Sequence, residues 1–358
     1  MTRETAGESH RHSGGHHGDC CAATRRSFLK TTALITGAAL LPGTALGQSA
    51  PARRRIDTHF HFYPKELGSE LGSGIAARWS PQVALDEMDR NGIASAVLSV
   101  SSAPEAWWRL DAQQLRGKVR TLNDFAAQMV RDNPKRFGLF AFLSMADVDG
   151  TLKDIEYAFD MLKADGVGIP TSYGDKWPGD PAFAPIFDEL NRRKAVVYFH
   201  PNAPFCCAGT MVPNVQVSWA EYPHDTTRAI LSLLFNGGFV KHRDIKFLFS
   251  HGGGTIPMLA GRIDWLSKGV KDRAAVAPAG IEAEFRRLHY DTASAFYPSS
   301  MAALLKIVPV SQVVYGSDYP YVTEAATIEG LAKSGLSAAD MRAIEMDNAL
   351  RLVPRLKA

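Results

Sequence analysis

Between Pro51 and the C-terminus, short runs of Val, Ile, Leu and Phe alternate with longer stretches whose apolar residues recur at helical spacing. Continuous apolar runs separated by helices point to a parallel sheet covered on both faces. Eight runs read as strands, at residues 55–61, 94–100, 137–145, 166–172, 195–200, 245–251, 287–293 and 313–318. Helices fit between them. Ser80 to Asn91 has a capping serine, a proline in its first turn, apolar residues at Val83, Leu85 and Met88, and Gly92 as its stop. Residues 116–133 and 151–164 are similarly periodic, and residues 181–193 lead directly into the fifth strand. Asp225-Thr226-Thr227 reads as the cap of a helix running to Phe235, and residues 268–284 as surface helix. Eight strands alternating with helices over roughly 300 residues predict an α/β chain folded as a (β/α)8 TIM barrel. A doubly wound sheet would want a glycine-rich phosphate loop after an early strand, and the sequence has none.

Two connections are longer than a barrel needs, Tyr63 to Trp79 and Pro201 to His224. Both leave the C-terminal ends of their strands, where barrels build their sites. Phe205, Met211, Trp219 and Tyr222 suit them to wall an organic substrate, with a lid or a subunit contact equally open.

Composition narrows the class. The 358 residues suffice for a large core, and with 22% charged residues and a net charge of +3 no basic field suggests nucleic acid. The four cysteines form two adjacent pairs, Cys20-Cys21 and Cys206-Cys207, which read as free thiols rather than a disulfide framework. Residues 1–50 read as a leader and 51–358 as the functional domain. Arg25-Arg26-Ser27-Phe28-Leu29-Lys30, followed by the mildly apolar Thr31 to Leu46, resembles a twin-arginine export signal. The expected product is a soluble periplasmic chain cut near Gly47. Pro42 and several glycines make the apolar stretch too short and weak for a membrane anchor. His10, His12, His16 and His17 lie in the discarded leader.

The chemistry sits at the strand ends. The first strand finishes Asp57-Thr58-His59-Phe60-His61, and residues two apart on a strand face the same side. The fifth, sixth and eighth runs end in His200, His251 and Asp318. In a barrel all five open onto one face, so His59, His61, His200 and Asp318 can surround one ion. Nitrogen and carboxylate donors suit zinc, and also manganese or iron. His224, His242 and His289 read as structural.

These residues carry a resemblance. Ile56-Asp57-Thr58-His59-Phe60-His61, Glu87-Met88-Asp89 before Gly92-Ile93, Val196 to Pro201, Asp225-Thr226-Thr227-Arg228, Ser250 to Gly254 and Gly316-Ser317-Asp318-Tyr319-Pro320 all resemble the amidohydrolase superfamily. The similar branch contains aminocarboxymuconate-semialdehyde, resorcylate and 6-methylsalicylate decarboxylases. The resemblance spans residues 53–350, and residues 173–194 are most similar to the 6-methylsalicylate type. It implies a metal-dependent hydrolase-type barrel with one divalent ion, zinc first, held by His59, His61, His200 and Asp318. It makes His251 a general acid/base rather than a ligand, with Asp318 able to share that work. Arg262 matches an arginine that holds a substrate carboxylate, in some relatives from a neighbouring subunit; a salt bridge on the helix surface is the alternative. Trp219 falls where a relative has a pocket aromatic, against buried packing. Two-metal members use a lysine on strand four, and Gly166 to Tyr173 has none. Ala84 and Asp86 stand where several relatives have a basic residue.

The expected activity is non-oxidative decarboxylation of an aromatic or conjugated carboxylic acid by a homodimer. Hydrolysis of a lactone, ester or amide with the same residues is the first rival. An exported binding protein is the second.

Overall fold

The computed structural model describes residues 55–203 and 212–357, all within the compact unit Ser49–Ala358. The leader at 1–50, both cysteine pairs, Phe205 and Met211 lie outside the described residues. Eight strands pair in chain order: β1 (Arg55–His61), β2 (Ile93–Ser99), β3 (Phe137–Phe142), β4 (Gly166–Pro170), β5 (Val196–His200), β6 (Lys246–Phe249), β7 (His289–Asp291) and β8 (Val313–Val314). Every pairing is parallel. The last strand closes on the first: the Thr58 N–H donates to the Tyr315 carbonyl at 2.9 Å, and the Asp318 N–H to that of His59 at 3.0 Å. The expected (β/α)8 barrel is therefore present.

Strands β3, β4, β6, β7 and β8 stop short of the ends of their apolar runs. In three of those runs the chain beyond the strand takes left-handed backbone, at Met145, His251 and Asp318, with φ of 52°, 54° and 72°, which no strand continues through. Two of the three are the polar residues that the runs deliver.

The interior is built by alternation. On β5, Val196, Tyr198 and His200 share a face; the first two meet Ile56, Val97, Phe140, Leu248 and Val314 in an apolar plug. Ala349, Leu352 and Val353 from the C-terminal segment join that plug. β1 departs from alternation. Its pairing with β2 shifts between Asp57 and Phe60, and such a bulge re-aims side chains. Ile56 before the shift and His59 and His61 after it all reach the interior, while Phe60 packs outward in the shell under the helices.

Helix boundaries correct four expectations. The helix Ala112–Asp132 starts ahead of residue 116 because Asp111 and Gln114 form a reciprocal capping box. In Pro81–Asn91, Ala84 and Met88 bury a one-turn stripe and Val83 is exposed. Residues 268–284 form no continuous helix, only Arg273–Val276 and Ile281–Phe285. Asp225 is no cap: the helix runs Val217–Phe235, and the Asp225 side chain is buried mid-helix. Among the described residues no helix is long and apolar enough to cross a membrane.

Candidate metal centre

Five side chains converge at the C-terminal mouth of the barrel. The His59 and His61 Nε2 atoms are 3.1 Å apart. Asp318 Oδ1 lies 3.2 Å from the first and 3.1 Å from the second. The His200 ring centre is 5.2 Å from that of His59 and 4.9 Å from that of His61. His251 Nε2 approaches Asp318 Oδ2 at 3.4 Å. One donor atom each from His59, His200, His251 and Asp318 fits within 4.8 Å, and His61 stands against two of these four.

The Nδ1 partners separate the histidines. His59 Nδ1 lies 2.8 Å from Asp291 Oδ2, His61 Nδ1 is 3.1 Å from the Ser99 carbonyl, and His200 Nδ1 is 3.1 Å from the Pro201 carbonyl. All three partners only accept, so Nδ1 holds a proton and Nε2 is the nitrogen turned toward the centre. Carbonyl or carboxylate support of this sort accompanies metal-bound imidazoles. Three buried Nε2 atoms beside the half-buried Asp318 carboxylate are a donor set that suits a divalent cation. The Nδ1 of His251 is buried without a partner among the described residues, and its Nε2 faces the Asp318 carboxylate.

Charge divides the three pinned histidines again. Burial lowers His61, with Asp318 partly opposing. Burial, reinforced by the neighbouring imidazoles, holds His200 well below the usual range. Burial also works against a charged His59, but the Asp291 and Asp318 carboxylates outweigh it and lift the group to about 10. Burial would raise Asp318; His59 and the surrounding histidine hydrogen bonds hold it well below the usual carboxylate range instead. Without a cation, His59 takes that role by keeping a proton.

A cavity of about 1110 Å³ opens above the cluster, with His200, His251 and Asp318 on its floor and Trp108, Tyr222 and Tyr321 in its walls. Trp219 lines it too, but is 67% exposed at the rim rather than packed in a core. Arg262 is exposed on the helix Ile256–Ser267 and does not line the cavity. No ion pair joins it to another described residue. His224, His242 and His289 stand outside the cluster: His224 bonds the Ala220 carbonyl, His242 bonds Asp188, and burial lowers His289 to about 4.

Asp291 is the residue that sequence reasoning passed over. Its Oδ1 accepts the His251 N–H at 2.8 Å while Oδ2 holds His59. In the structure Asp291 ends β7 as His200 ends β5, whereas the run at residues 287–293 places it mid-strand. Tyr321 was also missed: its hydroxyl meets that of Tyr63 at 2.7 Å, and its ring stands edge-on to His61.

Comparison with known proteins places this geometry. The family model described as Amidohydrolase matches residues 56–355. Decarboxylase yanB of Aspergillus niger is 31% identical, with 85% of this chain and 88% of that protein covered. The 6-methylsalicylic acid decarboxylase of Penicillium expansum is 30% identical over 85% of this chain and 97% of its own length. A crystal structure of 5-carboxyvanillate decarboxylase from Novosphingobium aromaticivorans, complexed with manganese and 4-hydroxy-3-methoxy-5-nitrobenzoic acid, superposes with a TM-score of 0.76. It is 19% identical, covering 84% of this chain and 96% of that one, a likeness of fold.

Proposed function

Because the chain belongs to the Amidohydrolase family, we propose that it is a mononuclear metal-dependent, non-oxidative decarboxylase of an aromatic carboxylic acid. A 6-methylsalicylate-like hydroxybenzoate is the preferred substrate. The carrying observation is the division among the histidines. His59, His61 and His200 have their Nδ1 atoms pinned and Nε2 turned to the centre, while His251 has a buried, unpartnered Nδ1 and its Nε2 beside Asp318. The two relatives at 30–31% identity, both named decarboxylases, support the reaction class.

In this reading His59, His61, His200 and Asp318 hold one divalent ion. When bound, the ion supplies positive charge that orients the substrate carboxylate and an ortho hydroxyl and stabilises developing negative charge. His251, on the floor of the cavity, donates a proton to the ring carbon bearing the carboxylate. The carbon–carbon bond then breaks, carbon dioxide leaves, and the bonding pair returns to the ring to restore aromaticity. Asp318, 3.4 Å from His251, can take part in resupplying that proton. Trp108, Tyr222 and the exposed Trp219 offer flat walls to an aromatic ring.

Zinc is the preferred ion, and manganese equally suits the donors; manganese is the metal in the 5-carboxyvanillate decarboxylase crystal structure. The protein is a homodimer in this reading. Met258, Trp265 and Leu266 are exposed beside Arg262 on one helix, a face that a second subunit would cover, with Arg262 carried toward a substrate carboxylate at that boundary. Export to the periplasm rests on the Arg25-Arg26 segment.

The test is carbon dioxide release from a panel of hydroxybenzoates, run beside lactones and esters. Release from an ortho-hydroxybenzoate supports the proposal. Proton release from a lactone or ester without carbon dioxide assigns the chain to hydrolysis.

A further inference from the structure

Asp225 belongs to a motif that the proposed chemistry does not use. Its carboxylate is fully buried in the middle of the helix Val217–Phe235. A buried carboxylate persists only where donors replace its water. Three do so: Oδ2 accepts from the Thr171 and Ser172 hydroxyls, and Oδ1 from Trp177 Nε1 at 2.8 Å. The nearest cation is Arg228, at 3.9 Å.

These contacts lead to the metal centre by a defined route. Thr171 follows β4, and its N–H donates to the His200 carbonyl at 3.0 Å. Its hydroxyl, whose proton goes to Asp225, accepts the Asn202 N–H at 3.2 Å. The Asn202 side chain then donates to the Ser172 carbonyl at 3.2 Å. The turn His200-Pro201-Asn202 is thus held at both ends. The Pro201 carbonyl between them accepts from His200 Nδ1, and also from the Ser102 hydroxyl at 2.8 Å. Ser102 meets the Tyr222 hydroxyl at 3.0 Å, and Tyr222 lies one turn before Asp225 on the same helix. The circuit therefore closes on the element where it began.

We infer that Asp225 is a positioning residue: through Thr171 it fixes the Pro201 carbonyl, and so the orientation of His200, and it registers Tyr222 in the cavity wall. This rests on His200 being a ligand, as proposed above. Trp177 provides an internal control. It bonds the same carboxylate on the other oxygen and has no part in the route to His200.

The experiment uses four variants of the full chain, with zinc affinity by chelator competition as readout and thermal unfolding measured in parallel. Asp225→Ala and Thr171→Val should each weaken zinc binding about 10–100-fold, the range found when a group behind a ligand is lost. Asp225→Asn should restore most of it, since the amide can accept from Trp177 and donate to a hydroxyl. Trp177→Phe should lower the unfolding temperature with little change in affinity. Equal losses of affinity in Thr171→Val and Trp177→Phe, or none in Thr171→Val, would overturn the inference. Failure of the wild type to bind zinc, or unchanged binding in His200→Ala, would instead overturn the ligand assignment.

Discussion

At the scale of single residues, the four histidines of the mouth share one ring chemistry and differ in what stands behind them. Asp291, the Ser99 carbonyl and the Pro201 carbonyl fix three Nδ1 atoms; His251 has none. One consequence concerns protons. His59 is held near 10 when no ion is present, so it is protonated at pH 8, and an ion bound at its Nε2 must expel that proton. Zinc uptake by the metal-free protein should release about one proton per ion, and affinity should rise with pH up to the His59 value and level off above it. Calorimetry in buffers of different ionisation enthalpy measures the release; no proton released would mean His59 is not a ligand. Asp291→Ala removes the carboxylate behind that ring, and the same titration should show a loss of affinity of about 10–100-fold. The metal-competent residues were legible in the sequence because they lie at the ends of apolar runs. Asp291 lies two residues inside its run, its work is to hold other side chains, and spacing does not report which carboxylate turns inward to a ring.

At the scale of elements, strand ends and the turns after them set the geometry. β1 needs its bulge between Asp57 and Phe60 to bring Ile56, His59 and His61 to one interior. Simple alternation found the His59–His61 pair and could not show that shift, because register depends on β2. The turn after β8 is tighter still. A Cβ on Gly316 would stand 2.8 Å from the His59 Cβ and 2.9 Å from the Asp291 Cβ. Gly316→Ala should therefore cut metal occupancy by pushing apart a ligand and its support, even in protein that remains folded by circular dichroism. Full occupancy in that variant would show that the turn has slack. The mistaken cap at Asp225 has a related cause. An Asp-Thr-Thr run signals a helix start when its side chains bond their own backbone, and here the carboxylate is drawn away to Thr171, Ser172 and Trp177.

At the scale of the whole molecule, the barrel is closed at one end and open at the other. Ala349, Leu352 and Val353 stop the N-terminal end against Ile56, Val97 and Phe140, while the cavity opens over the metal centre at the other. Leu352→Ala should cost about 2–5 kcal/mol in denaturant unfolding and leave turnover per folded molecule intact, because stability and chemistry occupy opposite faces. A drop in specific activity of the folded fraction would show the two ends to be coupled. The alternation of strand and helix made this architecture readable from the chain. The cavity was not readable, since it depends on how loops from distant strands meet. The central claim is one ion held by four residues and a proton supplied by a fifth. It is tested most directly by measuring metal content and carbon dioxide release together in the wild type and in His251→Gln. The account predicts about one ion per chain in both proteins, with release in the variant reduced about 10²–10⁴-fold. A metal-free variant would make His251 a ligand and contradict it, as would a wild type that holds two ions.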